Sequence, residues 1–419
     1  MIGLPATDTL NATLGLHTIE DYAPLIGSEA VERILKKGQR LRGRRVVHIN
    51  STFYGGGVAE ILTPMTLLMN TMGIETGWRA IQGTGQFFSC TKKFHNALQG
   101  VEVEISEAEK AVYEQVVWEN ALRLHLDHHD AVFVHDPQPL PLVTRLKRGT
   151  APWIWQCHID LSQPSRPTWD YLRRFVEEYD ICVFSLPGYA QQLRTRQHFI
   201  PPAINPFSVK NRELSEDEIH ACLAYYGIPT DRPIVVQISR FDRWKDPGGV
   251  IEAVRLARKQ VDCTLVLLGN TAVDDPEAGV ILETIHSAAD EHIIVVSVED
   301  PLLVNALQRH AAIVLQKSIR EGFGLTVTEA MWKGAAVIGG TAAGIKRQIK
   351  HGENGFLVDN IEQTAELIVK LLRAPDLRRR IGTAGRESVR RNFLLSRLTE
   401  DYLDLLDSQI GSQIGAATR

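Results

Sequence analysis

The stretch RRVVHINSTFYGGGVAEILTPMTLLMNTMG, residues 44–73, opens with a β-rich run, RRVVHIN (44–50). It crosses a turn of three glycines and continues as GGVAEILTPMTLLMNTMG (56–73), a helical run that stops at glycine. Strand, glycine turn and helix make one βα unit. Outward from it the same alternation continues, with AVFVHD (131–136), APWIWQCHI (151–159) and DICVFS (180–185) reading as further strands between helical runs. Such alternation predicts a parallel sheet covered by helices on both faces.

A second series begins at RPIVVQIS (232–239) and runs through CTLVLLGN (263–270), HIIVVS (292–297), AAIVLQ (311–316) and AAVIGG (335–340). Between the two series lies FIPPAINPFS (199–208), whose three prolines mark a hinge. The expected fold is therefore α/β, two Rossmann-like lobes with parallel sheets facing across a cleft. The first lobe spans 1–204, including a helical lead SEAVERILKKGQRL (28–41), and the second spans 205–385. A C-terminal helix within 386–419 is expected to pack across the lobes. From about Arg386 to Gln409 the run reads as helical, and its apolar residues (Leu394, Leu395, Leu398, Tyr402, Leu405, Leu406) recur at spacings of three and four.

Composition narrows the function. Forty-six basic against fifty acidic residues leave a net charge of −4 over 419 residues, so no global field would hold nucleic acid or an anionic membrane. Any phosphate site must be local. Cys90, Cys157, Cys182, Cys222 and Cys263 form no C-x-x-C pair, and no run of about 18 apolar residues occurs. A cytoplasmic protein is expected, in which the sequons at Asn11 and Asn50 carry no glycan.

The chemistry gathers at strand ends. In EGFGLTVTEAMWKG (321–334), two glycines precede a helix expected to start near Leu325 or Thr326. A helix N-terminus offers open amides and a positive dipole end, so the amides of Phe323, Gly324, Leu325 and Thr326 could cradle a phosphate. Glu321 and Glu329 flank it, the latter expected in the first helical turn and able to accept from hydroxyls. Eight residues of continuous helix would separate the two carboxylates by about 12 Å, more than the spacing of about 5 to 9.5 Å in glycoside hydrolases. The glycines leave the real distance open, so a hydrolase is weakened, not excluded.

In QISRFDRWKDPGG (237–249), Arg240 offers a planar fork and Lys245 a point charge for a diphosphate, unless they merely pair with Asp242 and Asp246 on a solvated loop. Gly56 and Gly57 let the first βα turn meet a phosphate or sugar, but the loop lacks the third glycine of a dinucleotide fingerprint, which disfavours a nicotinamide enzyme. His158 and Asp160 are expected on one face of a strand end, or as a satisfied buried pair. His135 and Asp136 end the preceding strand. HLDHHD (125–130) puts His125 and His129 four apart at an expected helix end, where the dipole suits histidine with or without a metal. Neither a P-loop nor a nucleophile elbow is present.

Together these residues resemble the retaining glycosyltransferases of the GT-B fold, family 4, whose signature is two glutamates with seven residues between them, here Glu321 and Glu329. The likeness covers roughly Arg44 to Leu372. It implies that Glu321 contacts the donor sugar, Glu329 the nucleotide ribose, and Arg240 and Lys245 the diphosphate. His158 would lie near the donor sugar and Asp160 near the acceptor, with His135 and Asp136 beside it. Within that group HINSTFYGGGVAEIL, VHDPQP, WQCHIDLS and IPPAINP resemble trehalose-forming glycosyltransferring synthases, although Asn205 stands where Asp is expected. The implied reaction moves glucose from a nucleoside diphosphate glucose, ADP-glucose or UDP-glucose among them, to glucose, forming or reversibly cleaving α,α-trehalose. A trehalose phosphorylase using glucose 1-phosphate is the alternative, and a non-catalytic nucleotide-sugar sensor a remoter one. No cofactor is required, and Mg2+ would serve at most as the nucleotide's counter-ion. No nucleic acid or membrane partner is expected; a homodimer is left open.

Overall fold

The structure, a computed structural model, describes residues 17–53, 56–269 and 278–417, so Asn11 and Gly55 lie outside it. The chain forms two units: residues up to Pro202 with Leu395 onward, and Ala203–Leu394.

The first unit holds strands β1 (Arg45–Asn50), β2 (Glu75–Ala80), β3 (Ala131–His135), β4 (Trp153–Cys157), β5 (Ile181–Phe184) and β6 (Arg196–Phe199), all parallel, in the order β2-β1-β3-β4-β5-β6. β3, β4 and β5 are buried along their whole length, as strands covered on both faces must be. The second unit holds β7 (Ile234–Ile238), β8 (Thr264–Gly269), β9 (Ile293–Ser297), β10 (Ile313–Gln316), β11 (Val337–Gly340) and β12 (Phe356–Val358), also parallel, in the order β12-β11-β10-β7-β8-β9. Both sheets reverse their winding once, between β1 and β3 and between β7 and β10. At such a switch point the connections diverge to opposite faces and leave a crevice beyond the strand ends, where open α/β sheets bind ligands.

The C-terminal run differs from its sequence reading. It is two helices, Pro375–Asn392 and Leu395–Ala417, broken at Phe393, whose carbonyl accepts from the Ile204 amide at 2.9 Å while Leu394 bridges Ile204. Tertiary pairing with the Ile204 segment overrides helical periodicity there. The second helix belongs to the first unit, buries Tyr402, and is clamped by Arg33 and Lys37, both bonded to Glu400 at 2.7 and 2.8 Å. Asn205 does what an aspartate would do, its side-chain oxygen accepting from the Phe207 amide at 3.1 Å. Asn50 is buried and bonds the Thr52 carbonyl, and all five cysteines are buried and unpaired.

Candidate active site

At the second unit's switch point the loops after β7 and β10 meet. Lys245, in the single turn Arg243–Lys245, places Nζ 2.5 Å from Glu321 Oε2, joining two residues 76 positions apart. Ser318 Oγ donates to the same carboxylate oxygen at 3.3 Å and itself accepts from Gln316 Nε2 at 2.9 Å. Asp246 adopts the left-handed conformation (φ 49°), accepts from the Gly249 amide to cap helix Pro247–Ala257, and pairs with Lys317. Arg240 stays half exposed, 3.8 Å from Asp242. The internal pairing of Arg240 and Lys245 with Asp242 and Asp246 therefore holds only for Arg240; Lys245 turns to Glu321, and Asp246 to Lys317.

The helix Leu325–Trp332 starts where expected, behind Gly324 in the left-handed region (φ 86°) and with no side-chain cap. Gln348 shapes the turn from beneath: its Nε2 donates to the carbonyls of Phe323 (2.6 Å) and Gly344 (3.1 Å), while its Oε1 accepts from Thr328 (2.6 Å). Gly344 is packed so closely that a Cβ there would sit 2.4 Å from Phe323 Cα. The backbone that presents the open amides of Phe323 to Thr326 is thus held from below by polar bonds and close packing.

Glu329 corrects its expected position. It is the fifth residue of the helix, one turn inside, and its side chain is only 5% exposed, 3.6 Å from Lys210 Nζ. Behind it lies Lys333, buried and donating to Asn211 Oδ1 (2.9 Å), Gln308 Oε1 (2.8 Å) and the Glu329 carbonyl (3.3 Å). Burial pushes the Lys333 ammonium down to about 7, with the Glu329 charge opposing. Lys333 and Gln348 escaped the sequence reading because their work is to bond carbonyls and amides far away in sequence, which leaves no local motif.

In the first unit Gly56 (φ 79°) and Gly57 head the helix Gly56–Thr71, both exposed. β4 ends at Cys157, so His158 and Asp160 leave the strand and its alternation no longer orders them. Asp160 is buried and closes a turn onto the Ser162 amide at 2.9 Å. Asp136 takes the left-handed conformation (φ 61°), which aspartate tolerates better than most residues, and accepts from the His158 amide at 2.8 Å. Burial raises the Asp136 carboxyl, with His158 pulling the other way. His135 is fully buried with both ring nitrogens engaged, by His48 (3.0 Å) and His158 (3.1 Å), so it has no ring atom left for an acceptor sugar. His125 and His129 lie in the loop past the helix that ends at Ala121, not on a helix, because Asp130 is drawn to the Arg45 amide and the Arg44 side chain. Among the described residues no group of three His, Cys, Asp or Glu could hold a metal, and no helix could cross a membrane.

Two parallel-sheet Rossmann-like lobes, one with a glycine-led helix start beside a Lys-Glu pair at its switch point, are the frame expected of a glycosyltransferase of the GT-B fold, and the matches to known families bear that class out. Residues 48–191 match the family model for the trehalose synthase N-terminal domain, and residues 224–388 that for group 1 glycosyl transferases. The chain is 44% identical over 403 residues to the trehalose synthase of Pyrococcus horikoshii, covering 94% of this chain and 97% of that one. With the trehalose synthase of Rubrobacter xylanophilus it shares 41% over 413 residues, 95% and 98% of the two chains. The chain belongs to the trehalose synthase family. Among solved structures, a UDP-forming α,α-trehalose-phosphate synthase from Burkholderia xenovorans has the same fold at 15% identity, TM-score 0.69, over 87% of this chain and all of that one.

Proposed function

We propose that the protein is a retaining glucosyltransferase that moves glucose from a nucleoside diphosphate glucose to free glucose, giving α,α-trehalose. The observation that carries this reading is its likeness to the trehalose synthase of Pyrococcus horikoshii over 94% of this chain and 97% of that one. The chemistry fits the residues. As the bond between the anomeric carbon and the diphosphate breaks, its electron pair stays on a phosphate oxygen. Arg240, Lys245 and the amides of Phe323 to Thr326 are the groups to stabilise that charge as it grows. The acceptor's anomeric hydroxyl oxygen attacks from the face the diphosphate leaves, and its proton passes to the departing phosphate, so configuration is retained.

In this reading Glu321 takes the donor sugar's hydroxyls while its bond to Lys245 keeps sugar and diphosphate sites in register, and Glu329 takes the ribose. On the first lobe His158 contacts sugar, Asp136 and Asp160 order the acceptor loop, and Gly56 and Gly57 offer backbone to a sugar or phosphate. Mg2+ acts only as the nucleotide's counter-ion. Five buried thiols, none in a disulfide, fit a cytoplasmic location.

The test incubates protein and glucose with ADP-, UDP- or GDP-glucose and measures nucleoside diphosphate against disaccharide. One-to-one release supports the reading. Disaccharide from glucose 1-phosphate alone, with every nucleotide sugar inert, would replace it with a phosphorylase.

A further inference from the structure

Three imidazoles stand in a row across three adjacent strands of the first lobe. His48 lies on β1, His135 closes β3, and His158 follows β4, which are neighbours in that order in the sheet. His48 Nδ1 is 3.0 Å from His135 Nε2, and His135 Nδ1 is 3.1 Å from His158 Nε2. The successive ring planes differ by only 29° and 18°, so each N–H and the lone pair it faces lie near a common plane, as ring-to-ring hydrogen bonds require. His48 and His135 are fully buried, and burial holds all three imidazoles below their usual range, that of His48 at about 3, so at neutral pH each ring carries one proton.

One proton per ring and two ring-to-ring bonds allow two orders. If the protons point from His158 toward His48, the last one sits on His48 Nε2, which is buried and has no partner among the described residues. A buried N–H without an acceptor is the costlier orphan. In the opposite order His48 Nδ1 donates to His135, His135 Nδ1 donates to His158 Nε2, and only a lone pair is left unpartnered on His48. That order puts the third proton on His158 Nδ1, an atom that no side chain takes among the described residues. Asp136 completes the arrangement by bonding the His158 amide, which holds the backbone that carries the ring, while the bond to His135 holds the ring itself in the row.

We propose that His48 and His135 are positioning residues: they fix His158 as the neutral tautomer protonated on Nδ1, so that it meets the sugar as a directional hydrogen-bond donor. The proposal rests on the reading above that His158 contacts the sugar substrate. It also explains why two histidines are kept in a core position where aliphatic residues would pack, His48 stacking on Phe133 at 4.7 Å.

The tautomer is read without substrate. In protein labelled with 15N-histidine, a two-bond proton–nitrogen correlation at neutral pH, with His158 assigned by its absence in His158→Gln, should show a protonated Nδ1 and an unprotonated Nε2. The reverse tautomer, an averaged pair or an imidazolium at His158 overturns the proposal. Two variants add a kinetic arm. His48→Leu removes the first donor and should lower kcat about tenfold, the net worth of one hydrogen bond, with KM for the donor unchanged. His48→Asn, whose amide nitrogen stands where Nδ1 stood, should restore it; equal kcat in the two variants contradicts the relay. If the leucine variant fails to fold, the wild-type spectrum still decides. Trehalose formation absent from the wild type as well would refute the function, while the spectrum still reports the tautomer.

Discussion

The bond between Lys245 and Glu321 carries a measurable share of the second lobe's stability. Their charged atoms are 2.5 Å apart and the side chains only 15% and 14% exposed, so each charge depends on the other rather than on water. Removing one partner of a buried pair costs about 3–5 kcal/mol; the residual exposure places this pair at the lower end, about 3 kcal/mol. Lys245→Met removes the cation that faces Glu321, and Glu321→Gln removes the carboxylate that faces the ammonium, so either alone should be costly. Both together remove the two charges, and the coupling in the double-mutant cycle should be about 2 kcal/mol or more. A two-lobe chain need not unfold in one step, so the assay is hydrogen exchange at the amides of β7 and β10, whose loops carry the pair. Additive losses, with coupling under about 0.5 kcal/mol, would show that the two residues are not a unit and would remove the physical link between the diphosphate and sugar sites.

Acid should destabilise the first lobe through its buried histidines. Their folded pKa values are lowered, so below the ordinary value of about 6.5 the unfolded chain binds protons that the folded chain refuses. Stability is therefore present above pH 6.5 and lost below it, by about 2 kcal/mol at pH 5 for His48, whose folded value of about 3 lies well under that pH, with His135 and His158 acting in the same direction; protection at β1, β3 and β4 unchanged between pH 7.5 and pH 5 would contradict this. Gly344→Ala should drive a methyl into Phe323 Cα at 2.4 Å, cost about 1–3 kcal/mol, and weaken donor binding in calorimetry; full affinity would mean that the Phe323 to Thr326 turn is not the phosphate cradle. Nucleotide sugar at a hundredfold excess over its Kd should raise protection of the helix Leu325–Trp332 by about 2.7 kcal/mol, and no rise would place the nucleotide elsewhere. Lys245→Met should lower kcat about 10²- to 10³-fold, as loss of a donor to a developing oxyanion does, and unchanged turnover would exclude Lys245 from leaving-group stabilisation.

Much of this was legible from residue order alone. The central strands β1, β3, β4, β5, β7, β8, β10 and β11 are apolar runs because most are buried on both faces, the edge strand β9 is legible from its apolar run IIVVS, and the glycine-led helix start at Leu325 is written in GFG. The strands that escaped reading, β2 (ETGWRA), β6 (RQHF) and β12 (FLV), are all edge strands. Two of them are half exposed and the third is three residues long, so none carries a strong apolar signal. Helical periodicity passed over the break at Phe393 because nothing local forbids helix there; the cause is a partner, Ile204, nearly two hundred positions away. Lys245 and Glu321 stood out in the sequence as charges in a motif, and the structure brings these two together. Residues were illegible where one polar group serves another, as with Gln348 beneath the Phe323 to Thr326 turn, Lys333 behind Glu329, and His48 behind His135. His135 was misplaced for the same reason: a histidine at a strand end reads as facing a ligand, and only the neighbouring rings show that it faces other histidines.

The central claim is that glucose passes from a nucleotide to a second glucose with its anomeric configuration kept. It is tested most directly by incubating the protein with unlabelled ADP-, UDP- or GDP-glucose and uniformly 13C-labelled glucose, and reading the disaccharide by NMR. The account predicts α,α-trehalose with one labelled ring and one unlabelled ring, formed with at least one of the three donors. A product with a β anomeric centre, labelled glucose found in both rings at initial rate, or no disaccharide from any nucleotide donor would contradict it.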